Sequence, residues 1–358
     1  MSKPRILIFT TSYHPFIGGA EVAIQEITRR LKERFDFYIV TSRFKRDLPK
    51  NEVRTEGTVI RVGLGTRFDK YFLIFTPFYY RGFASIVLGV DISHASIAAA
   101  IYKILNPKTH FIFNIQFGES ENHLSFGRAG IISMAFRFML SQADFVTAIS
   151  SYLLDLARSY GYQGPTEVVP NGVDIQKFQS TNSKLQINSK TQNTTPKTII
   201  TTSRLVPKNG VDILIKAMAE VKKKIPEILL HIMGEGAERR NLELEIRNLK
   251  LEDNVKLFGQ VPYEEIPRYL HKASLFVRPS RSEGMGNSFV EALAAGLPIV
   301  GTPVGGITDI IEDEKTGLFC NSEDPRNLAE KIMRLLQDQD LSAVIVSEGK
   351  KMVEEKFS

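Results

Sequence analysis

Short apolar runs alternate with amphipathic stretches along the whole chain. In the first half, Arg5–Thr10, Phe37–Thr41, Val59–Val62, Asp91–Ala95, Phe111–Ile115 and Phe145–Ile149 read as strands. Ala20–Arg34, Ala98–Leu105 and Ser151–Tyr160 lie between or after them with apolar residues at helical spacing. In the second half the strand candidates are Thr198–Ser203, Leu229–Met233, Val255–Phe258, Ser274–Val277 and Leu297–Val300. Helices are predicted to open at Asp212 and Phe289 and to run through a charged segment to Leu249, and Lys331–Leu336 continues the alternation. Near-continuous apolar strands separated by helices are buried on both faces, as in a doubly wound parallel α/β sheet.

The pattern stops once. Residues 179–197, QSTNSKLQINSKTQNTTPK, are polar and nearly free of large apolar side chains, the composition of a linker. It divides the chain into domains 1–178 and 198–358. Tyr71–Val90 is the longest apolar stretch and is long enough to cross a bilayer, but Pro77, Arg81 and several glycines interrupt it. It reads as a core helix or the wall of a cleft, ahead of an interfacial contact and of a membrane span. Ile6–Phe9 is too short for the apolar part of a signal peptide.

One stretch of under forty residues carries the chemistry. From Ser274 to Ile311 a strand, a loop, a helix and a strand follow one another, and the Gly305-Gly306 pair opens another helical piece. Working loops of such sheets sit at the strand ends. Glu283 closes the first loop, Glu291 stands eight positions on in the helix, and Gly284, Met285, Gly286, Asn287 and Ser288 lie between. A helix start favours phosphate, and glycines let a ligand approach the backbone. A carboxylate accepts two neighbouring hydroxyls, so it suits a sugar diol. Phosphate flanked by polyols describes a nucleotide sugar. A second glycine pair, Gly18-Gly19, precedes the Ala20–Arg34 helix and offers a place for phosphate or for a sugar hydroxyl. The run GMGNSF imitates a dinucleotide fingerprint, but Phe289 occupies the third glycine position, and no such fingerprint follows Arg5–Phe9. A nicotinamide dehydrogenase is disfavoured accordingly.

Composition narrows the classes further. With 358 residues, 43% hydrophobic and 24% charged, the chain suits a two-domain soluble protein. Its one cysteine, Cys320, permits no internal disulfide and fits a reducing cytosol. The net charge of +6 belongs to residues 1–178, which hold 21 Lys plus Arg against 15 Asp plus Glu; the remainder holds 25 of each. A basic half can face an acidic substrate or an anionic membrane. No nucleic-acid motif is present.

Several spaced elements together resemble the E-x7-E signature of retaining glycosyltransferases of family 4, which have the GT-B fold: Glu283, Glu291, Ala294-Ala295-Gly296, Pro298 and Gly305-Gly306. The VVPNGVDIQKF segment, Val168–Phe178, is similar to the piece that closes the first domain of that family. The resemblance implies two doubly wound Rossmann-like domains facing each other across a cleft. It implies that a UDP- or GDP-sugar binds the C-terminal domain and a saccharide or lipid-linked saccharide acceptor the N-terminal one. Glu291 then holds the ribose hydroxyls and Glu283 the transferred hexose. Arg204 and Lys208 grip the diphosphate, although the family lysine directly precedes the glycine where this chain has Asn209. Backbone groups at 284–288 assist, Gly18 and Gly19 face the reaction centre, and Gly234 frames the nucleotide base. Gln116 stands where relatives place a histidine near the donor's anomeric carbon; glutamine hydrogen-bonds but carries no proton charge. His123 is a substitute on paper, and Glu119 and Glu121 are candidates for acceptor hydroxyls. No metal and no further cofactor is expected. The protein is expected in the cytoplasm, at the membrane face if its acceptor is lipid-linked. Relatives continue from about Phe357 into a helix that crosses back to the first domain, so the sequence reads either as cut short or as lacking that element. A sugar-nucleotide epimerase or hydrolase on the same fold, and a nucleotide-sugar-binding protein without turnover, are the alternatives.

Overall fold

The computed structural model describes residues 3–16, 18–119, 124, 130–179 and 197–358. Two compact units, Met1–Asn171 and Gly172–Ser358, account for the chain. The first is built on strands β1 (Arg5–Phe9), β2 (Asp36–Ser42), β3 (Asn51–Arg54), β4 (Gly57–Val62), β5 (Ile86–Val90), β6 (His110–Ile115), β7 (Phe145–Ala148) and β8 (Thr166–Val168). Their order is β3-β4-β2-β1-β5-β6-β7-β8. Every pairing is parallel except β3 on β4, which forms an antiparallel edge. Leu7, Ile8 and Phe9 of the central strand are buried. The chain leaves β1 for β2 on one side and returns through β5 on the other, so the carboxyl ends of β1 and β5 form the switch point where such sheets take ligands.

The second unit repeats the plan with six strands: β9 (Thr198–Thr202), β10 (Leu229–Met233), β11 (Val255–Gly259), β12 (Leu275–Arg278), β13 (Ile299–Gly301) and β14 (Leu318–Phe319). All pair in parallel in the order β11-β10-β9-β12-β13-β14. Here the switch lies between β9 and β12. Helices Val211–Lys224 and Pro325–Gln337 pack on each other over the sheet. Asp324 caps the latter by accepting from the Arg326 and Asn327 amides, with Pro325 leading the helix.

The two doubly wound α/β domains expected from the pattern are therefore present, with local differences. The strand expected at Asp91–Ala95 lies at Ile86–Val90, and Asp91 instead turns the chain at φ 64°. Ser93 then caps the helix His94–Leu105. The apolar stretch Tyr71–Val90 is not one helix. Its first part lies in a 3-10 helix, Asp69–Phe78, ended near Pro77, and its last part is β5. Among the described residues no helix is long and apolar enough to cross a membrane. The edge strands β3 and β8 were not legible because NEVR and TEV are polar and short. The helical piece expected at Gly305-Gly306 is present as a 3-10 helix, Gly305–Asp309. Residues 175–179 form a short helix that packs with the second unit: Phe178 is buried and its ring lies 5.9 Å from Tyr263. The contact division thus falls at residue 171, ahead of the linker read from composition. That linker, apart from its ends Gln179 and Lys197, lies outside the described residues, as do Glu121 and His123.

One buried acid organises the first unit's outer segment. Asp69 is fully buried at the start of the 3-10 helix. Its carboxylate accepts from the amides of Gly65 at 2.7 Å, Leu64 at 3.1 Å and Phe44 at 3.2 Å, and from the Thr66 hydroxyl at 2.9 Å. Burial pushes its pKa up, but the bonds from Gly65, Leu64 and Thr66 outweigh burial and hold it below the ordinary value. Asp69→Ala strands three amides and should lower stability by about 3 kcal/mol at neutral pH, read from urea midpoints. Because the native pKa is depressed, the carboxylate's contribution is present above the ordinary Asp value and is lost as pH falls through the native one. The gap between wild type and variant should close with acidification.

Candidate functional site

The second unit's switch point collects the residues that the sequence singled out there. The loop after β9 carries Arg204, exposed, and Lys208, half-buried. Asn209 is buried behind them and donates from Nδ2 to the Arg204 carbonyl at 2.7 Å, which closes the loop on itself. The loop after β12 then docks on it: the Arg281 amide donates to the Lys208 carbonyl at 2.7 Å. Gly210 has φ 67°, and a Cβ there would stand 1.9 Å from the Pro279 carbonyl oxygen. Gly305 has φ 53°, and its Cβ would stand 1.8 Å from the Glu283 carbonyl oxygen. Only glycine permits both approaches. Gly234, after β10, sits beside Ser203 and pairs its amide with the Gly259 carbonyl at 2.8 Å.

Glu283 is held from two sides. Its Oε2 pairs with Nη2 of Arg278, and its Oε1 accepts from the Gly284 amide at 3.1 Å. Arg278 is the last residue of β12, buried, and its Nη1 donates to the Ser288 hydroxyl at 2.7 Å. Its guanidinium also lies 5.0 Å from the centre of the Phe289 ring. The Gly284 amide is thus committed to Glu283, and the Ser288 hydroxyl to Arg278. Gly284, Met285 and Gly286 are buried, while Asn287 is half-buried at the start of the helix Asn287–Ala294. Arg278 was not anticipated: the expected polar loop began with it. Its signal was its place directly after the apolar LFV run.

Glu291 lies further along that helix and takes a hydrogen bond from the Tyr263 phenol. Burial pushes its pKa up to about 7, against the smaller opposing effects of Tyr263, Arg278 and Lys177. Lys177 stands 4.0 Å over the Tyr263 ring. Nothing in the sequence placed Tyr263 here, since it arrives from the loop after β11. Burial also pushes the Cys320 thiol up to about 12, which leaves it unreactive.

The first unit's candidates stand apart. Gln116 follows β6, donates to Asn114 Oδ1 at 2.8 Å and accepts from Asn171 Nδ2 at 3.3 Å. Gly18 and Gly19 begin the helix Gly19–Leu31 at the end of the loop after β1. The Glu21 carboxylate folds back over Gly18 and pairs with the Ser12 hydroxyl. A carboxylate at that helix start repels phosphate, so of the two ligands considered for the glycine pair it favours a hydroxyl.

Comparison with known proteins follows this division. Glycosyltransferase Family 4 matches residues 17–177, and Glycosyl transferases group 1 matches residues 182–352. The chain superposes over 100% of its length on 95% of sucrose-phosphate synthase from Thermosynechococcus elongatus, with TM-score 0.85 and 21% identity. Its fold is GT-B, and each of its two halves matches a glycosyltransferase family model. This GT-B chain also resembles the Anabaena HepE structure determined with UDP-glucose, at TM-score 0.78 and 20% identity, over 99% of the chain and 95% of that protein. In sequence it is 33% identical, over 61% of its length, to a GDP-mannose-dependent monoacylated alpha-(1-6)-phosphatidylinositol monomannoside mannosyltransferase of Corynebacterium glutamicum. The chain spans 57% to 59% of the length of the first curated relatives it matches.

Two measurements probe the site's electrostatics. Arg278→Ala leaves the Glu283 carboxylate without its buried partner and should lower stability by about 3–5 kcal/mol in urea titration. Glu291 has the opposite linkage. Its native pKa of about 7 exceeds the ordinary 4.5, so the native state keeps a proton that the unfolded chain releases, and stability falls as pH rises between those values. Glu291→Gln should therefore stabilise the protein at about pH 8 by up to about 3 kcal/mol, and the gain should vanish near pH 4.

Proposed function

We propose that this GT-B chain transfers a hexose from a UDP- or GDP-sugar to a saccharide or lipid-linked saccharide, with retention of anomeric configuration. The observation that carries this reading is the convergence of Arg204, Lys208, Glu283 and Gly284–Ser288 at one switch point, with Glu291 on the helix that starts there. In this reading the diphosphate lies against Arg204, Lys208 and the start of the helix Asn287–Ala294. Those cations stabilise the charge that grows on the leaving oxygen as the glycosidic bond breaks. Glu283, already aimed by Arg278, accepts from hydroxyls of the transferred sugar. Glu291 accepts from the ribose diol. On the first unit Gly18, Gly19 and Gln116 are assigned to the acceptor, and on the second Gly234 borders the base.

No side chain is assigned as a covalent nucleophile. The acceptor oxygen forms its bond to the anomeric carbon on the face from which the diphosphate departs. The acceptor's proton passes to the leaving phosphate oxygen, so atoms and charge balance without an enzyme base. The positive charge needed at the diphosphate comes from the protein, and no metal is invoked. Named relatives lend support on the substrate side: one uses GDP-mannose and a phosphatidylinositol mannoside, and one fold neighbour was determined with UDP-glucose. A lipid-linked acceptor places the work at an anionic membrane surface on the cytoplasmic side.

Purified protein screened against UDP- and GDP-sugars should release nucleotide from one of them, and release should rise when an acceptor is added. Arg204→Ala should lower kcat by about 100-fold, and Glu291→Ala should abolish detectable release. Release indifferent to acceptors would favour hydrolysis, and failure to bind either nucleotide would remove the reading altogether.

A further inference from the structure

The first unit carries an aromatic face that the transfer chemistry does not use. In and beside the 3-10 helix Asp69–Phe78, the side chains split cleanly. Asp69, Leu73, Thr76 and Pro77 are buried, and the segment packs against the helix His94–Leu105. Phe68, Tyr71, Phe72, Phe75, Phe78 and Tyr79 are exposed, with Phe75 and Phe78 at 61% and Tyr79 at 84%. Their spacing of three and four puts them along one side of the helix. The four hydrogen bonds to Asp69 fasten the start of the segment. The rings are presented on an anchored helix, and six such rings in twelve residues make a patch rather than scattered apolar residues.

Charge decides what covers it. Between residues 64 and 83 the only acid is Asp69, which is buried, and the cations are Arg67, Lys70 and Arg81. The Arg67 guanidinium lies 5.0 Å from the centre of the Phe68 ring, and Lys70 Nζ lies 5.4 Å from that of Tyr71. Cations set beside rings match the boundary of a bilayer, where rings enter the acyl edge and cations meet headgroup phosphates. A second copy fits less well, because a two-fold contact through this face would bring like cations together.

We propose that this face docks the protein on an anionic membrane surface. The proposal deepens the lipid-linked acceptor reading and rests on it for its purpose, but docking is measurable without transfer. The full chain is sedimented with vesicles of phosphatidylcholine, with and without phosphatidylglycerol. Wild type should bind the anionic vesicles, and added salt should weaken binding. Phe75→Ser with Phe78→Ser should reduce partitioning by about tenfold, while Arg67→Ala with Lys70→Ala should erase the preference for phosphatidylglycerol. All four side chains lie outside the core, so thermal melting confirms that the variants fold, and nucleotide release from a soluble donor should be unchanged. Wild type remaining in the supernatant, or the phenylalanine variant sedimenting like wild type, would overturn docking. So would a concentration-dependent dimer that these substitutions dissolve. Loss of donor binding in every form would instead strike the transfer reading alone, leaving the vesicle result to stand by itself.

Discussion

A guanidinium buried at the end of a strand sets the geometry of the second unit's loops. Arg278 is dehydrated, and a buried cation is tolerated only when paired and hydrogen-bonded. Its partners are Glu283 from the following loop and Ser288 from the helix beyond, with the Phe289 ring nearby. One side chain therefore joins strand, loop and helix start. Any sugar hydroxyl that meets Glu283 meets a carboxylate whose direction has already been chosen. Such preorganisation removes reorganisation from the moment of reaction.

Around that pair the loops close by backbone approaches as well as by side chains. Gly210 against Pro279 and Gly305 against Glu283 bring three strand ends together at distances that a Cβ would forbid. Arg281 adds a second tie: it pairs with both carboxylate oxygens of Asp212 and with Glu323, and donates to the Pro207 carbonyl. Arg204 and Lys208 thus project from a loop that is stiff beneath them.

The two units share a doubly wound plan but arm their switch points differently. In the second, cations stand at the strand ends and the helix start at Asn287 has no acid in its first turn. In the first, Glu21 lies over Gly18 at the helix start. Electrostatics alone makes the former suited to a diphosphate and the latter to neutral hydroxyls. The same contrast of roles extends to the surface, where the first unit presents an aromatic and basic face far richer in exposed rings than its buried side requires.

The sequence by itself determined the two-domain α/β plan, because apolar runs such as ILIF and LFV can be satisfied only as buried strands, and helical spacing between them leaves few ways to connect. It also marked the loops that meet at the second unit's strand ends, since glycines and acids at fixed spacing are visible in the text of the chain. It misplaced the strand near Asp91 and missed β3 and β8, where local hydrophobicity is weak and pairing with a neighbour supplies the stability. Only the tertiary structure decided that Arg278 aims Glu283, that Tyr263 reaches Glu291, that Glu21 covers Gly18, and that the rings of the 69–78 segment face outward. Each of these depends on which distant side chain arrives next to a given group, and desolvation and pairing are properties of that neighbourhood rather than of the residue.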